Sequence, residues 1–343
     1  MSPLALADIA RQLVDAGRGI LAMDESNATC NRRLVAAGIP ATPEVRHAWR
    51  ELIVTTPGLG DCISGAILYD ETIHQDAADG TPFVKVLTDA GIIPGIKVDT
   101  GAKDLALCTG EKITEGLDGL RERLHGYAAM GARFAKWRAV ITLGDSTPST
   151  GCIEANAQAL ARYAALCQEA DLVPIVEPEV LMNGAHTMAH CAAITEAVLH
   201  SVFAHLATQR VLLEGMILKP NMVLPGLLCA EQDGLDDVAE ATVTCLLRSV
   251  PAAVPGIAFL SGGQSGELAS ARLSTMNARY RWPNARLPWT LAFSFARAIQ
   301  QPALEIWRGR PDQVQAAQQA LLHRATCNHA ALRGEYNSTM EVP

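Results

Sequence analysis

The chain has 343 residues and a formal net charge of −8, a size that suits two ordinary domains or one large α/β barrel. Its composition, 49 % apolar and 19 % charged, can bury a sizeable core, which excludes disorder as the main state. There is no Lys/Arg tract and no run of roughly 18 uninterrupted apolar residues, so neither nucleic acid nor a membrane is expected as partner, and Met1–Asp8 lacks the basic start of a secretory signal.

In chain order, short apolar runs alternate with helical patterns. The runs are Gly19–Glu25, Ile63–Asp70, Ile93–Asp99, Arg133–Val140, Pro174–Val180, Met216–Val223, Gly256–Gln264 and Pro288–Phe295. Each is too short and too continuous for an amphipathic helix and reads as a buried strand. Between them, Glu44–Val54, Glu154–Ala170, Asp236–Leu247 and Gln313–His323 carry helical spacing, and Pro43 suits a first helical turn. Eight strands alternating with helices predict a parallel sheet covered on both faces. The expected fold is a single-domain (β/α)8 TIM barrel over residues 1–343, with an N-terminal helix and a helical or flexible tail over about residues 324–343. An open doubly wound sheet is the structural alternative, but its Gly-x-Gly-x-x-Gly turn is missing after the first strand.

The nine cysteines are scattered, without a Cys-x-x-Cys pair, which suits reduced thiols in a cytoplasmic protein. His186 and His190 have the spacing of a metalloprotease helix, but Thr187 stands where the catalytic glutamate would be. No metal is therefore expected.

Charge falls inside these strands where apolar residues are the rule. The first run ends in Asp24 and Glu25, the third carries Lys97 and Asp99, and the fourth Lys136 and Arg138. The fifth carries Glu177 and Glu179, and the sixth Lys219. Only six of the 28 basic residues are lysines, and three of the six lie in these strands. A lysine, unlike an arginine, can act as a neutral nucleophile, a form favoured by burial and by a neighbouring cation such as Lys136. An ion pair is the plain alternative for any one strand lysine. Glu177 and Glu179 are two apart and can share a strand face, although Pro178 between them disturbs the pleat. In a dry site beside a like charge, such a carboxyl is expected to have a raised pKa suited to acid–base work; serving as a lysine's partner is the alternative.

Anion sites are suggested at both ends of the series. Ser261, Gly262 and Gly263 form a turn that opens a helix, with Ser294 ending the eighth strand and Arg297 just after it, where barrels often bind phosphate. Ser26, Thr29 and Arg33 follow the first strand. A plain turn explains the former equally, and a helix N-cap with a solvated arginine the latter. Together these residues imply a lysine that forms an imine with a phosphorylated keto sugar and cleaves or forms a carbon–carbon bond without a metal.

Seven segments resemble class I fructose-1,6-bisphosphate aldolase, in the family's order: Gly19–Ser26 (GILAMDES), Gly95–Asp99 (GIKVD), Phe134–Arg138 (FAKWR), Pro174–Glu179 (PIVEPE), Leu218–Val223 (LKPNMV), Phe259–Ser265 (FLSGGQS), and Pro288–Trp289 with Phe293–Ser294 and Arg297. The resemblance implies a TIM barrel, assembled as a homotetramer, acting in glycolysis and gluconeogenesis. It implies Lys219 as the Schiff-base amine, with Glu177 as the main acid–base group and Asp24 at the C4 hydroxyl. Lys136 would be the supporting cation and Glu179 a further catalytic carboxylate. Ser261, Gly262, Gly263, Ser294 and Arg297 would hold the C1 phosphate, and Lys97, Arg138, Ser26, Thr29 and Arg33 the C6 phosphate. No cofactor beyond the covalent lysine is implied. Three departures stand out: the last tyrosine, Tyr336, is followed by seven residues, Phe295-Ala296 replaces the more usual Tyr-Gly, and Thr29 replaces a serine. A different Schiff-base barrel such as a transaldolase, or a non-catalytic scaffold of aldolase shape, are the competing readings.

Overall fold

Eight apolar runs close into one parallel barrel in a computed structural model that describes residues 3–14, 17–144, 146–280 and 287–341. The strands are β1 (Gly19–Ala22), β2 (Ile63–Leu68), β3 (Ile93–Lys97), β4 (Gly101–Asp104), β5 (Lys112–Glu115), β6 (Phe134–Ile141), β7 (Val173–Val180), β8 (Ile217–Leu218), β9 (Gly256–Phe259) and β10 (Thr290–Phe295). The barrel runs β1-β10-β9-β8-β7-β6-β3-β2 back to β1, and β4–β5 is a separate antiparallel hairpin. All eight predicted strands form. The hairpin was not anticipated, because β4 is exposed and polar and carries no apolar signal.

Alternation along the strands separates two cores. Outward residues such as Leu21, Trp137 and Val176 join the large layer between barrel and helices; Trp137 packs on Tyr163, with 5.5 Å between ring centroids. Inward residues Ile20, Ala22, Ile67, Phe134, Ile175, Ile217, Ala258 and Ala292 fill the barrel's lower half. The helix Pro3–Val14 plugs its base with Leu6, Ala10, Leu13 and Val14. Glycines make that plug possible: a Cβ on Gly256 would lie 2.6 Å from Val14, and one on Gly65 2.6 Å from Leu13.

The helices Pro43–Val54, Thr150–Glu169 and Leu235–Ser249 match expectation closely, with Pro43 in the first turn. The helix Val314–Leu332 runs nine residues past the expected end at His323. Its last turns bury Ala325, Cys327, Ala330 and Ala331, small side chains that give a weak hydrophobic signal. Arg324 lies within this helix and ion-pairs with Glu341, tying down the turn Ser338–Glu341; the ends of the expected domain at 1, 2, 342 and 343 lie outside the described residues. The helix Met188–Thr208 is long and apolar enough to cross a membrane by length and composition. In this fold it is an outer barrel helix that buries Cys191, Val198, Leu199, Val202 and Leu206. All nine cysteines are free thiols.

Candidate active site

On β1, β6, β7 and β8 the inward face is apolar at its start and charged at or just past its end. Ile20 and Ala22 lead to Asp24, Phe134 to Lys136 and Arg138, Ile175 to Glu177 and Glu179, and Ile217 to Lys219. Residues two apart share a face, so the strands deliver their charges together to the carboxyl-end mouth. There a cavity of ≈ 370 Å³ is lined by Asp24, Ser26, Thr29, Lys97, Lys136, Arg138, Glu177, Glu179, Lys219, Ser261, Gly262, Ser294 and Arg297.

At its floor the charges alternate. Lys219 Nζ lies 3.1 Å from Glu177 Oε1, Lys136 Nζ 3.2 Å from Glu177 Oε2, and Lys136 Nζ 2.7 Å from Asp24 Oδ2. All four side chains are buried. Glu177 Oε2 makes no hydrogen bond despite its nearness to Lys136, which leaves a lone pair for a ligand. The Ser294 hydroxyl, buried in the same wall, is also without a partner.

Burial alone would raise the Glu177 carboxyl, but Lys136, Lys219 and Arg138 outweigh it and hold the group below its ordinary value. This corrects the raised value expected from a dry carboxylate pair: the cations around Glu177 dominate the like charges. Asp24 behaves in the same way, its burial more than offset by Lys136, Lys219 and Lys97. For Lys136, burial is overcome by Asp24, Glu177 and Asp99, which raise its pKa and keep it an ammonium. The floor therefore presents an ionised base beside an amine, with a fixed positive charge behind both.

β8 ends at Leu218, so Lys219 follows the strand instead of lying inside it, because Pro220 has no N–H to continue the ladder. Lys219 N still donates to Val176 O at 2.8 Å, and Val180 N donates to Asn221 Oδ1 at 3.0 Å. Pro178 falls between these two bonds, beside the break at Pro220. Its missing N–H therefore costs no strand bond, the pleat continues, and Glu177 and Glu179 both reach the cavity.

Arg138 pairs with Glu179, and Lys97 Nζ lies 2.7 Å from Asp99 Oδ1. Asp99 Oδ2 also accepts from Arg138 N at 3.2 Å. Asp99 thus ties the Lys97 ammonium to the backbone of β6 at Arg138, a role the sequence hinted at only through its position two residues after Lys97. Ser26 Oγ caps the helix Asn27–Ala36 by accepting from Thr29 N at 3.3 Å, and both residues also line the cavity. Tyr69, just beyond β2, is a lining residue that sequence reasoning missed.

Two expected ligands lie elsewhere. Arg33 does not line the cavity: it pairs with Glu25 and donates to Gln300 Oε1 at 2.6 Å. Its Nε and Nη2 are buried without a partner among the described residues, so it is not a solvated arginine. Gly263 lines an adjoining cleft of ≈ 450 Å³ on the outer side of its turn, while Ser261 and Gly262 face the cavity.

The sequence model of the family described as fructose-bisphosphate aldolase class-I matches residues 5–342. The chain belongs to this family. A Xanthomonas campestris pv. campestris protein described as a probable fructose-bisphosphate aldolase class 1 is 53 % identical over 337 residues, covering 98 % of this chain and 99 % of the relative. The cytosolic fructose-bisphosphate aldolase 6 of Arabidopsis thaliana is 50 % identical over 326 residues, covering 95 % and 90 %. A solved structure of the Plasmodium falciparum aldolase, in complex with TRAP and a small-molecule inhibitor, superposes with a TM-score of 0.95 at 46 % identity, covering 98 % and 96 % of the two chains. The activity is thus that of a class I fructose-bisphosphate aldolase, a lyase that reversibly cleaves fructose 1,6-bisphosphate to dihydroxyacetone phosphate and glyceraldehyde 3-phosphate through a lysine Schiff base. The match along the chain leaves the transaldolase and scaffold readings without support.

Proposed function

We propose that Lys219 is the Schiff-base amine of this aldolase and that Glu177 carries the protons of its formation. The observation that supports this best is the 3.1 Å contact of Lys219 Nζ with Glu177 Oε1 at the buried floor of the mouth. Glu177 takes a proton from Lys219, and the free amine attacks the C2 ketone. Glu177 then returns the proton to the carbinolamine hydroxyl, which leaves as water. The resulting iminium is the electron sink into which the C3–C4 bond breaks. Asp24 positions the C4 hydroxyl, and Glu177, a carboxylate again once water has left, takes its proton as that bond opens, so that C4 departs as the aldehyde and the electron pair passes into the iminium to give an enamine. Lys136, between Asp24 and Glu177, supplies positive charge to the reacting oxygens, and Glu179 fixes Arg138.

The two ends of the sugar are held by separate groups. Ser261, Gly262, Ser294 and Arg297 take the C1 phosphate; Lys97, Arg138, Ser26 and Thr29 take the C6 phosphate. No residue of the described set is asked to hold a metal, and the lysine supplies the electrophilic catalysis. The family likeness supports a homotetramer, and the cytosolic relative supports a cytoplasmic location.

Borohydride added with fructose 1,6-bisphosphate tests the assignment. One adduct per chain is expected, and peptide mapping should find it on Lys219. Lys219→Arg keeps the charge but removes the nucleophile, so undiminished turnover in that variant would reject it.

A further inference from the structure

Four arginines are buried among the described residues: Arg46, Arg50, Arg272 and Arg324. Arg46 and Arg50 are met by Glu71, and Arg324 by Glu341. Arg272 is the exception. It is 5 % exposed, and no carboxylate among the described residues forms an ion pair with it. Its Nη1 donates to Gln264 Oε1 at 2.9 Å, and its Nε, also buried, has no partner. An unpaired buried guanidinium is costly unless something else supplies the counter-charge.

The place of Arg272 indicates what that is. Gln264, itself 8 % exposed, donates from Nε2 to Ser261 O at 2.9 Å, and its backbone N donates to the same oxygen at 3.1 Å. The turn thus tied from behind includes Gly262 and Gly263, at φ +57° and +90°, left-handed values that few residues other than glycine adopt. Arg272, Gln264 and Ser261 form a line running from the helix Gly266–Arg279 to the cavity wall.

We propose that Arg272 is a positioning and specificity-determining residue of the phosphate site, holding the Ser261–Gly263 turn through Gln264 and presenting a positive charge that the substrate's phosphate neutralises. This rests on the reading that the turn holds the C1 phosphate. Burial lowers the pKa of Arg272, and the charge of Asp233 opposes this only in part, in keeping with a cation that lacks its anion until substrate arrives.

The test compares Arg272→Met, Arg272→Lys and Arg297→Ala on fructose 1,6-bisphosphate and fructose 1-phosphate. Both substrates carry the C1 phosphate, so Arg272→Met should raise KM for both by the same factor, about tenfold, with kcat within about twofold. Its thermal midpoint should not fall, because an unpaired buried charge has been replaced by an apolar chain. Inorganic phosphate should raise that midpoint less than it does in the unmodified enzyme. Arg272→Lys, which keeps a charge and a donor, should retain most of the affinity. An unchanged KM in Arg272→Met while Arg297→Ala raises it would overturn the inference alone. If neither variant moves KM, the phosphate reading of the turn is wrong as well. A fall in kcat and midpoint with KM and phosphate response intact would make Arg272 merely structural.

Discussion

In the proposed reaction single side chains act through their order of charge: Lys219, Glu177, Lys136 and Asp24 lie in sequence across the floor of the mouth, each within 3.2 Å of the next. Removing the base from this chain without changing its volume is the sharpest probe. Glu177→Gln should slow borohydride-trappable adduct formation by about 10²–10⁴-fold in single-turnover experiments, while KM changes little because the phosphates are anchored elsewhere. An unaltered trapping rate would remove Glu177 from the proton path. These four residues were legible in the sequence because a charge in an apolar strand end has few structural explanations. Arg33 was expected at the C6 phosphate, and the structure places it against Glu25 and Gln300. Its partner Gln300 is far along the chain, and local spacing carries no trace of that contact. Arg33→Ala should therefore leave KM for fructose 1,6-bisphosphate within about twofold, yet lower unfolding free energy by about 1–3 kcal/mol, since Glu25 and Gln300 lose their partner. A large rise in KM with stability unchanged would restore Arg33 to the binding site.

At the level of elements, the barrel separates stability from catalysis along its axis. Strand beginnings and the helix Pro3–Val14 make the lower core; strand ends make the mouth. Leu13 is fully buried in that lower core, so Leu13→Ala should cost about 2–5 kcal/mol in chemical denaturation. It should still give one borohydride adduct per folded chain. Loss of trapping in molecules that remain folded would mean that the plug also shapes the mouth. The strands were readable because each is buried on both faces and so nearly continuous in apolar residues. The hairpin β4–β5 was not, since β4 is exposed and β5 is anchored by polar contacts, Thr114 Oγ1 donating to Arg138 O at 2.8 Å and Asn156 Nδ2 to Lys112 O at 2.8 Å, which leave no apolar pattern in the sequence. The break after β8 was written in Pro220, but its effect, leaving room for Pro178 on the neighbouring strand, depends on a register that only the folded barrel supplies.

For the molecule as a whole, the buried and half-buried ionisable groups set how stability responds to pH, in two steps. His186 and His329 are both held below the ordinary 6.5, chiefly by burial, with His190 and Arg333 respectively adding to the effect. A histidine that is harder to protonate when folded leaves the unfolded chain binding more protons. Stability must then decline as pH falls through about 6.5. The second step belongs to carboxyls. Asp24 and Glu177 lie below 3.8 and 4.5 because their lysines outweigh burial. Glu71 lies below 4.5 through its hydrogen bond from Arg46, and Glu341 because Arg324 and Tyr336 outweigh its burial. Each contributes stability that is complete above its unfolded value and lost as pH falls through the lower folded value. The steep loss should therefore begin only below about pH 4.5. On the alkaline side, Lys136 is raised above 10.5, so its contribution persists until pH passes that value. Denaturant titrations from pH 8 to 3 should give a shallow descent near 6.5 and a steep one below 4.5. The pair of changes His186→Gln and His329→Gln should flatten the first and leave the second. A shallow step that survives in that variant would place the titrating groups elsewhere, and a steep loss already under way at pH 6 would contradict the depressed carboxyls at the floor of the site.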